Sequence, residues 1–410
     1  MRQIVKFFTD TDLYQFSVMY YVLMNYPRAE VRYSFFDRNN TVYPPGFAKL
    51  LREQVNRMEE VVLTKQEYDF MKEKLYFLPE WFFTFLKAYR FNPYEVQISQ
   101  DDEGHLHIII QGKWYSAIMW EMPILSTISE LMHEINGDIK NVDLANEWKR
   151  AYDKAERMLT NGVRWSDMGT RRRFSFDVQD KVIDAFVSAA NTVPNQTGQF
   201  IGTSNLYFAM KYNLTCIGTQ SHQIYSFEEC VSGVSECNYQ VMERWRKTFR
   251  GSLGLVLVDC FTTDLFLKNF SLDMAKLHDG PRIDSGVEED EFDKFYNKYR
   301  SFRIDPATKA IVFSNALDVD RAIELHVFVN GRMLDSYGMG THLTADVLNK
   351  LTGLRFKYSN IVIKLIAMRI DDKHEWDDCV KLSNDEGKTL GDKDKCDYLV
   401  KRVKKLTNKL

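Results

Sequence analysis

The strongest constraint on the fold is a regular alternation of short apolar runs with longer helical patterns, beginning near residue 160. The apolar runs have the length of buried strands and lie at residues 163–168, 200–201, 214–217, 254–261, 282–284, 310–313 and 333–337. Helical periodicity follows most of them, for example at residues 174–190, 226–248, 287–300 and 319–328. This alternation is typical of parallel strands joined by crossover helices. It favours a closed or nearly closed (β/α) barrel over an open sheet.

The chain ahead of that alternation carries mixed signals. The predicted elements there are a helix from a polar cap at residues 9–12 to Met24, helices between residues 47 and 91, and strands at 31–36, 94–100 and 105–111. The last two strands flank an Asp-Asp-Glu-Gly turn, as in a hairpin. We therefore expect an α+β segment before the barrel.

Composition excludes several classes of protein. The 410 residues include 54 Lys and Arg against 57 Asp and Glu, a formal net charge of −3, which argues against bulk binding to nucleic acids or anionic membranes. No apolar stretch is long enough for a transmembrane helix, and the N-terminus lacks a signal-peptide pattern. The six cysteines are scattered without a Cys-x-x-Cys pair, as expected for reduced thiols. These features predict a cytoplasmic protein.

Polar segments, most of them containing glycine, follow each strand run. The carboxyl ends of parallel strands meet at one edge of a barrel, where barrel enzymes carry their active sites. A series of such segments is difficult to explain as ordinary turns, so we interpret this edge as a functional site. The segments are residues 169–173, 202–205, 218–222, Asp259 with Asp264, 284–286, 314–315 and 338–341.

Two of these segments have the composition of an anion site. Gly338 and Gly340 let backbone N–H groups approach a phosphate, and Thr341 adds a hydroxyl just before a helix predicted to begin near Thr344. Ser314, at the end of the preceding strand, is expected to converge on the same anion. An ordinary strand-to-helix turn is the alternative interpretation.

Arginines follow or end two of the strands. A run of arginines at residues 171–173 is often a solvated face, but at a strand end at least one is expected to enter the barrel mouth. A guanidinium there suits a phosphate or carboxylate through paired hydrogen bonds. Arg282 and Asp284 alternate along one strand and therefore face the same side. That pair is suited to an anion together with a sugar hydroxyl or hydrated Mg²⁺.

An acid and a histidine complete the set of candidates. Asp259 ends the most apolar strand, where a carboxylate must be paired with a cation or metal, at a site or in a salt bridge to a neighbouring arginine. His222 also follows a strand, and no second His or Cys lies at metal-ligand spacing, which argues against zinc. A neutral imidazole there acts as a base or a nucleophile, unless His222 is a core histidine.

Several motifs, taken in their order along the chain, resemble those of nicotinate phosphoribosyltransferases. They are Thr11-Asp-Leu-Tyr14, Gly169-Thr-Arg-Arg-Arg173, Gly218-Thr-Gln-Ser-His222, Arg282-Ile-Asp-Ser-Gly286, Phe313-Ser314 and Gly338-Met-Gly-Thr341, with further similarity in residues 120–125, 361–365 and 381–383. The resemblance spans almost the whole chain. It implies a type II phosphoribosyltransferase fold, with an α+β domain of residues 1–139 completed by 343–410, beside an irregular, TIM-like (β/α) barrel of residues 140–342.

The resemblance also implies a reaction. Nicotinate and phosphoribosyl pyrophosphate would give nicotinate mononucleotide and pyrophosphate, which salvages nicotinate into NAD. ATP would be hydrolysed alongside as a co-substrate, through a phosphate carried on the matching histidine, His222. Mg²⁺ is expected and a tightly bound organic cofactor is not. Dimeric members of the family imply a homodimer with shared active sites, in which Tyr14 stacks on the ring in the neighbouring subunit.

Carried over residue by residue, the resemblance implies catalytic roles for His222, Arg282, Asp284 and Asp259, the two acids also being candidate Mg²⁺ ligands. The nicotinate carboxylate is expected to meet Arg171 or Arg282. The implied substrate-binding residues are Tyr14, Met168, Arg171, Thr203, Gly218, Thr219, Ser285, Ser314, Gly338, Gly340 and Thr341.

Three positions depart from the family's usual pattern. Met168 stands where relatives commonly have Phe, Gln220-Ser221 where small or apolar residues are frequent, and Val287 follows Gly286 where Asp-Pro is familiar. A thioether still packs on a pyridine ring. The alternatives are a nicotinamide or quinolinate phosphoribosyltransferase, or a non-catalytic nucleotide-binding barrel. The sequence around His222 argues against the quinolinate enzyme, which lacks the phosphohistidine chemistry. Every position matched to the family keeps a residue of the same chemical type, which argues against an inactive barrel.

Overall fold

A computed structural model of the chain describes residues 2–385 and 389–408. The helices, apart from short 3-10 turns, are α1 (Leu13–Asn25), α2 (Phe47–Arg57), α3 (Lys65–Lys74), α4 (Glu80–Ala88), α5 (Trp114–Ala117), α6 (Glu121–Ile135), α7 (Leu144–Thr160), α8 (Phe176–Thr192), α9 (Leu206–Tyr212), α10 (His222–Ser232), α11 (Cys237–Phe249), α12 (Thr263–Asn269), α13 (Leu272–Leu277), α14 (Glu288–Ser301), α15 (Val319–Val329), α16 (Thr341–Thr344) and α17 (Lys393–Thr407). The strands are β1 (Glu30–Asp37), β2 (Val96–Gln100), β3 (Leu106–Lys113), β4 (Arg164–Asp167), β5 (Gln199–Thr203), β6 (Thr215–Cys216), β7 (Leu255–Leu257), β8 (Gly280–Ile283), β9 (Ala310–Phe313), β10 (Leu334–Met339), β11 (Ile361–Arg369) and β12 (Asp377–Asp378).

Strands β4 to β10 form a parallel sheet in the order β6-β5-β4-β10-β9-β8-β7. The first and last of these strands in the sequence pair with each other, with Met339 opposite Asp167, so the sheet curls into a barrel whose edges are β6 and β7. Gln220 links the two edges, because its side-chain oxygen accepts a hydrogen bond from the backbone N–H of Leu257 at 3.0 Å. The predicted irregular (β/α) barrel is confirmed.

The barrel strands are short and apolar because helices cover their outer faces. Val256, Ile283, Ile311 and Phe313 are at most 1% exposed. These burial patterns match the runs that the sequence indicates, and β9 coincides with the predicted residues 310–313. The carboxyl ends of the parallel strands consequently face one edge of the barrel.

A second, antiparallel sheet has the order β12-β11-β1-β3-β2. The hairpin of β2 and β3 and the strand β1 lie close to their predicted positions. Strand β11, from the C-terminal part of the chain, pairs with β1, so that Lys364 lies opposite Ser34. This pairing carries residues after β11 back to the mouth of the barrel.

Two helix predictions are wrong in detail. Residues 226–248, expected as one helix, form α10 and α11, because the chain turns at Gly233, whose φ is +77°. The second helix was expected to begin near Thr344, but the structure has only a single turn, α16, which ends at Thr344. The backbone carbonyl of Thr344 accepts a hydrogen bond from the Phe174 N–H at 2.9 Å, which occupies the acceptor that a continuing helix needs.

Two apolar clusters form the core. One joins the N-terminal residues to β11 and α17 and also includes Phe227 of α10 and Trp245 of α11. The other fills the space between the barrel strands and their helices. The division into residues 1–139 with 343–410 and residues 140–342 stays a prediction. Within the described ranges, none of the helices combines the length and apolarity needed to cross a bilayer.

Candidate active site

A cavity of about 700 Å³ opens at the carboxyl ends of the barrel strands. Segments that follow β4, β5, β6, β8, β9 and β10 form its wall, together with residues of α1, α6 and β11. This is the position at which the sequence predicts a site. The predicted residues that line the cavity are Tyr14, Met168, Arg171, Gly218, Thr219, His222, Arg282, Asp284, Ser314, Gly338, Gly340 and Thr341.

Arg282, at the end of β8, is held by hydrogen bonds in one orientation. Its Nε donates to Ser314 Oγ at 2.9 Å, one terminal nitrogen donates to Thr219 Oγ1 at 2.6 Å, and the other donates to Asp284 Oδ1 at 3.1 Å. Ser314 Oγ also donates to Asp284 Oδ1 at 2.7 Å. The alternation of Arg282 and Asp284 therefore puts both on one face, as expected, and the guanidinium is fixed at the cavity wall.

His222 is the first residue of α10 and forms a pair with Asp259, two residues past the end of β7. The imidazole Nε2 lies 3.1 Å from Asp259 Oδ1 and 3.9 Å from Asp284 Oδ2. Ser285 Oγ donates to the other oxygen of Asp259 at 2.6 Å, and Lys381 Nζ lies 3.7 Å from that oxygen. Asp259 is thus paired with histidine and lysine rather than with an arginine.

The protonation states of this pair follow from its surroundings. Burial and the positive charge of Lys381 lower the pKa of His222 to about 4, against the attraction of Asp259. Burial opposes ionisation of Asp259, but the contact with His222 and the charge of Lys381 hold the pKa of that carboxyl below its usual range. At neutral pH the imidazole is therefore neutral and Asp259 is a carboxylate.

Met168 and the glycines of the last strand pack closely together. A Cβ on Gly338 would lie 2.7 Å from Met168 Sδ, and a Cβ on Gly340 would lie 2.8 Å from the Met168 carbonyl oxygen. The backbone N–H of Met168 donates to the carbonyl of Met339 at 2.7 Å. Glycine is required here because the segment after β4 approaches β10 too closely for side chains. Thr341, in the turn α16, also lines the cavity.

The three consecutive arginines have different positions. Arg171 and Arg172 line the cavity, and the side chain of Arg171 is 35% exposed, with Glu121 3.9 Å away. Arg173 is fully buried and forms two hydrogen bonds with the carboxylate of Asp10, at 2.7 and 2.8 Å. Arg173 therefore anchors the segment after β4, and the other two provide positive charge at the cavity.

Tyr14 and Asp12 enter the cavity wall from the N-terminal part of the chain. The hydroxyl of Tyr14 donates to Glu121 Oε2 at 2.7 Å. Asp12 Oδ1 accepts a hydrogen bond from Ser204 at 2.9 Å, and burial raises the pKa of Asp12 to about 6. Gly218 lies against α1 as well, since a Cβ there would come within 2.9 Å of the Leu13 side chain.

Three predicted residues lie behind the cavity wall. Thr203 is fully buried and donates to Asp167 Oδ2 at 2.8 Å. Ser285 is 1% exposed and contacts Asp259, which is itself fully buried. These side chains support residues of the wall rather than forming it.

Sequence reasoning missed two lysines in the cavity. Lys364 of β11 and Lys381 both line it, and burial lowers the pKa of Lys364 to about 8, against the attraction of Glu121. Both lie in segments noted for their family resemblance, at residues 361–365 and 381–383, but only the pairing of β11 with β1 shows that they reach the barrel mouth. Arg38, just after β1, is a third cation brought there.

Comparison with known proteins places the chain in a family. Residues 163–407 match the model of the nicotinate phosphoribosyltransferase (NAPRTase) family, and residues 9–129 match the model of its N-terminal domain. A nicotinate phosphoribosyltransferase of Desulforapulum autotrophicum is 38% identical over 96% of this chain and 97% of its own length. One from Chromohalobacter salexigens is 34% identical over 98% of both chains.

Solved structures are also similar. The nicotinate phosphoribosyltransferase of Porphyromonas gingivalis superposes with a TM-score of 0.91 at 36% identity, covering 98% of this chain and 100% of that one. The enzyme of the same name from Vibrio cholerae gives 0.85 at 26% identity, covering 99% and 94%. With these matches along its length, the chain belongs to the nicotinate phosphoribosyltransferase family and is an enzyme of that family.

Proposed function

We propose that this enzyme transfers the phosphoribosyl group of phosphoribosyl pyrophosphate to the ring nitrogen of nicotinate, giving nicotinate mononucleotide and pyrophosphate for NAD salvage. The observation that carries the proposal is the cluster formed by the end of β8 and the segments that follow β6 and β8. There, a fixed guanidinium (Arg282), a carboxylate (Asp284) and a neutral imidazole (His222) face one cavity. The names of the relatives support the choice of substrates.

The charge of the cavity suits a polyphosphate substrate. The pyridine nitrogen of nicotinate carries a lone pair, so the transfer needs no strong base. It needs stabilisation of the cation-like ribosyl centre and of the charge that develops on the leaving pyrophosphate. Among the lining residues that the structure describes, cations outnumber acids. The cations are Arg38, Arg171, Arg172, Arg282, Arg355, Lys364 and Lys381, and the acids are Asp12, Glu121, Asp284, Asp318 and Asp346.

The nicotinate carboxylate is best matched by Arg282. Its side chain is 19% exposed and held by three hydrogen-bond acceptors, whereas Arg171 is 35% exposed. A preorganised and partly desolvated guanidinium discriminates more strongly for a carboxylate. Arg171 is then available to the pyrophosphate. The thioether of Met168 would pack on the pyridine ring.

The opposite end of the substrate would meet the last two barrel strands. Ser314 and the segment from Gly338 to Thr341 line the cavity together. The hydroxyl of Thr341 and the backbone N–H groups of the glycine-containing segment are the donors that a 5′-phosphate requires, whereas the hydroxyl and N–H of Ser314 already donate to Asp284 and Ile283. A homodimer in which Tyr14 also serves the neighbouring subunit's site is part of the proposal by family analogy.

His222 would carry the phosphate of ATP. Because Asp259 is an anion and only accepts, Nε2 of the neutral imidazole holds the proton and Nδ1 holds the lone pair. Nδ1 attacks the terminal phosphorus of ATP, an N–P bond forms, and ADP leaves as the P–O bond breaks. Asp259 stabilises the positive charge that develops on the ring during the attack.

The acids of the cluster differ in their fit to Mg²⁺. Both oxygens of Asp259 are occupied, one by His222 and one by Ser285. Asp284 uses Oδ1 for Arg282 and Ser314, while Oδ2 faces His222 at 3.9 Å. Asp284 is therefore the acid that fits a magnesium ion, with phosphate oxygens as further ligands. The ion, when bound, would neutralise charge on the pyrophosphate.

The test is to incubate the protein with nicotinate, phosphoribosyl pyrophosphate, Mg²⁺ and ATP, and to measure nicotinate mononucleotide and ADP. We expect both products, and a much slower reaction with nicotinamide. His222→Ala should lose the stimulation by ATP and keep slow ATP-independent transfer. The absence of mononucleotide from wild-type protein would contradict the transfer, and full ATP stimulation in His222→Ala would contradict the phosphohistidine.

A further inference from the structure

Two cysteines meet away from the cavity, where α10 contacts the C-terminal part of the chain. The Sγ atoms of Cys230, on α10, and Cys379, just after β12, are 3.8 Å apart. Cys379 is fully buried, and Cys230 is half-buried. A disulfide bond is about 2 Å long, so a small movement of the two side chains would close the pair.

A lysine is held beside the more accessible sulfur. Lys395 Nζ, on α17, lies 3.4 Å from Cys230 Sγ. It also donates to the Asp378 carbonyl at 2.7 Å and to Asp377 Oδ1 at 3.0 Å, and it lies 3.1 Å from Glu229 Oε2. These acceptors keep the ammonium in place, and a fixed positive charge stabilises the negative charge that a sulfur nucleophile develops.

We propose that Cys230 and Cys379 are a site of oxidative modification, which hydrogen peroxide converts into an intramolecular disulfide. The Cys230 sulfur attacks one peroxide oxygen, the O–O bond breaks, and sulfenic acid and water form. The Cys379 thiol then attacks the oxidised sulfur, an S–S bond forms, and a second water leaves. In total, two thiols lose two electrons and two protons, and one peroxide is reduced to two waters.

The disulfide would connect two parts of the candidate active site. Helix α10 begins at His222 and carries Cys230 farther along, while Cys379 precedes Lys381 by two residues. Lys381 Nζ lies 3.7 Å from the Asp259 carboxylate that orients His222. Formation of the disulfide draws the segment that contains Lys381 towards α10 and moves the ammonium group of Lys381 relative to Asp259. We therefore expect oxidation to lower ATP-stimulated turnover, a consequence that rests on the proposed function, whereas disulfide formation does not.

The chemical test uses the purified full chain. Treatment with hydrogen peroxide, followed by digestion without reductant and mass spectrometry, should give a peptide pair linked through Cys230 and Cys379. The pair loses the mass of two thiol hydrogens and separates again with dithiothreitol. Wild-type protein that forms no such link, or links either cysteine mainly to another residue, overturns the proposal without any variant being needed.

Variants define the chemistry further. Cys379→Ser should accumulate sulfenic acid at Cys230, detectable by dimedone labelling, and Lys395→Met should slow oxidation of Cys230 several-fold. Cys216→Ser is the matched control, because Cys216 is also half-buried and burial raises its pKa to about 12. In Cys216→Ser, Cys230 should oxidise at the wild-type rate. An equal rate in Lys395→Met would overturn the role of the lysine.

The functional test compares initial rates of mononucleotide formation before and after oxidation. We expect a several-fold loss in wild type that dithiothreitol reverses, and no loss in Cys379→Ser under the same mild treatment. A complete disulfide with unchanged turnover overturns the coupling to the site. Absence of turnover in reduced wild-type enzyme would instead contradict the proposed function, and the peptide map would still report on the disulfide.

Discussion

The Nε2 atom of His222 lies 3.1 Å from Oδ1 of Asp259, and Ser285 donates to the other oxygen of that carboxylate. The carboxylate has no proton to give, so it fixes both the orientation and the tautomer of the ring. Because the pKa of His222 is lowered to about 4, the ring stays neutral well below neutral pH. The lone pair of Nδ1 is therefore unprotonated throughout the physiological pH range.

Replacing Asp259 with Asn should selectively damage the ATP-dependent part of the reaction. The amide keeps the shape but not the charge, and a hydrogen bond to a charged group contributes about 1.5–3 kcal/mol, which corresponds to a roughly 10- to 150-fold loss of rate. We expect this loss in initial rates measured with ATP and a smaller one without it. Ser285→Ala removes one donor to the same carboxylate but leaves its charge and its contact with His222 in place, so it should cost less than Asp259→Asn. Unchanged ATP stimulation in Asp259→Asn would contradict the pairing argument.

Arg282→Lys should weaken the choice of nicotinate over nicotinamide. Lysine keeps the charge but loses the planar fork that Ser314, Thr219 and Asp284 hold in place. We expect kcat/KM for nicotinate to fall about 10- to 100-fold, with a smaller change for nicotinamide. Arg171→Lys is the matched variant and should raise KM for phosphoribosyl pyrophosphate while leaving the ratio of the two bases unchanged. A preserved ratio in Arg282→Lys would refute the assignment.

Binding of the pyrophosphate donor should weaken as the pH rises through about 8. The pKa of Lys364 is lowered to about 8 because its ammonium group is buried near Arg171 and Lys381, so the group is charged below that pH and neutral above it. The loss of one cation then raises KM for the anionic donor. Lys364→Met should have a higher KM for the donor at low pH, and its KM should change less with pH than that of the wild type. The control is Lys357→Met, at an exposed lysine ahead of β11, which should keep the wild-type dependence of KM on pH. A wild-type KM that does not change through pH 8 would show that Lys364 does not contribute to binding the donor.

The barrel strands could be located from the sequence because each is a short, buried apolar run. The alternation of side chains along a strand also predicts that Asp284 lies on the same face as Arg282. Helix lengths do not follow from the apolar period alone, because the pattern over 226–248 runs through Gly233, whose positive φ divides it into two helices. The lysines at 364 and 381 could not be placed. Their position depends on β11 pairing with β1, more than 300 residues earlier in the chain, and no local pattern reports so distant a contact.

Arg173→Met should destabilise the fold strongly. Arg173 is fully buried and holds both oxygens of Asp10, so its removal leaves a buried carboxylate without its cation. Such a loss costs about 3–5 kcal/mol, measurable as a shift of the urea unfolding midpoint. Lys65→Met, which removes an exposed pair with Asp69, should leave the midpoint unchanged. Equal midpoints for Arg173→Met and wild type would mean that Asp10 finds another partner.

Gly338→Ala and Gly340→Ala should differ in whether a second change rescues them. The new methyl group at 338 would meet the flexible side chain of Met168, 2.7 Å from its Sδ, whereas at 340 it would meet the Met168 carbonyl oxygen at 2.8 Å. Gly338→Ala should raise KM for nicotinate several-fold by displacing the thioether, and it should lower the unfolding temperature. Met168→Ala removes the thioether as well, so adding it should relieve the overlap and restore the unfolding temperature to that of Met168→Ala alone, without restoring KM. The same second change cannot move a backbone oxygen, so Gly340→Ala should stay impaired. Steady-state kinetics and thermal unfolding of the two double-mutant cycles measure this coupling. Equal rescue at both positions would show that contact with the side chain does not decide the effect.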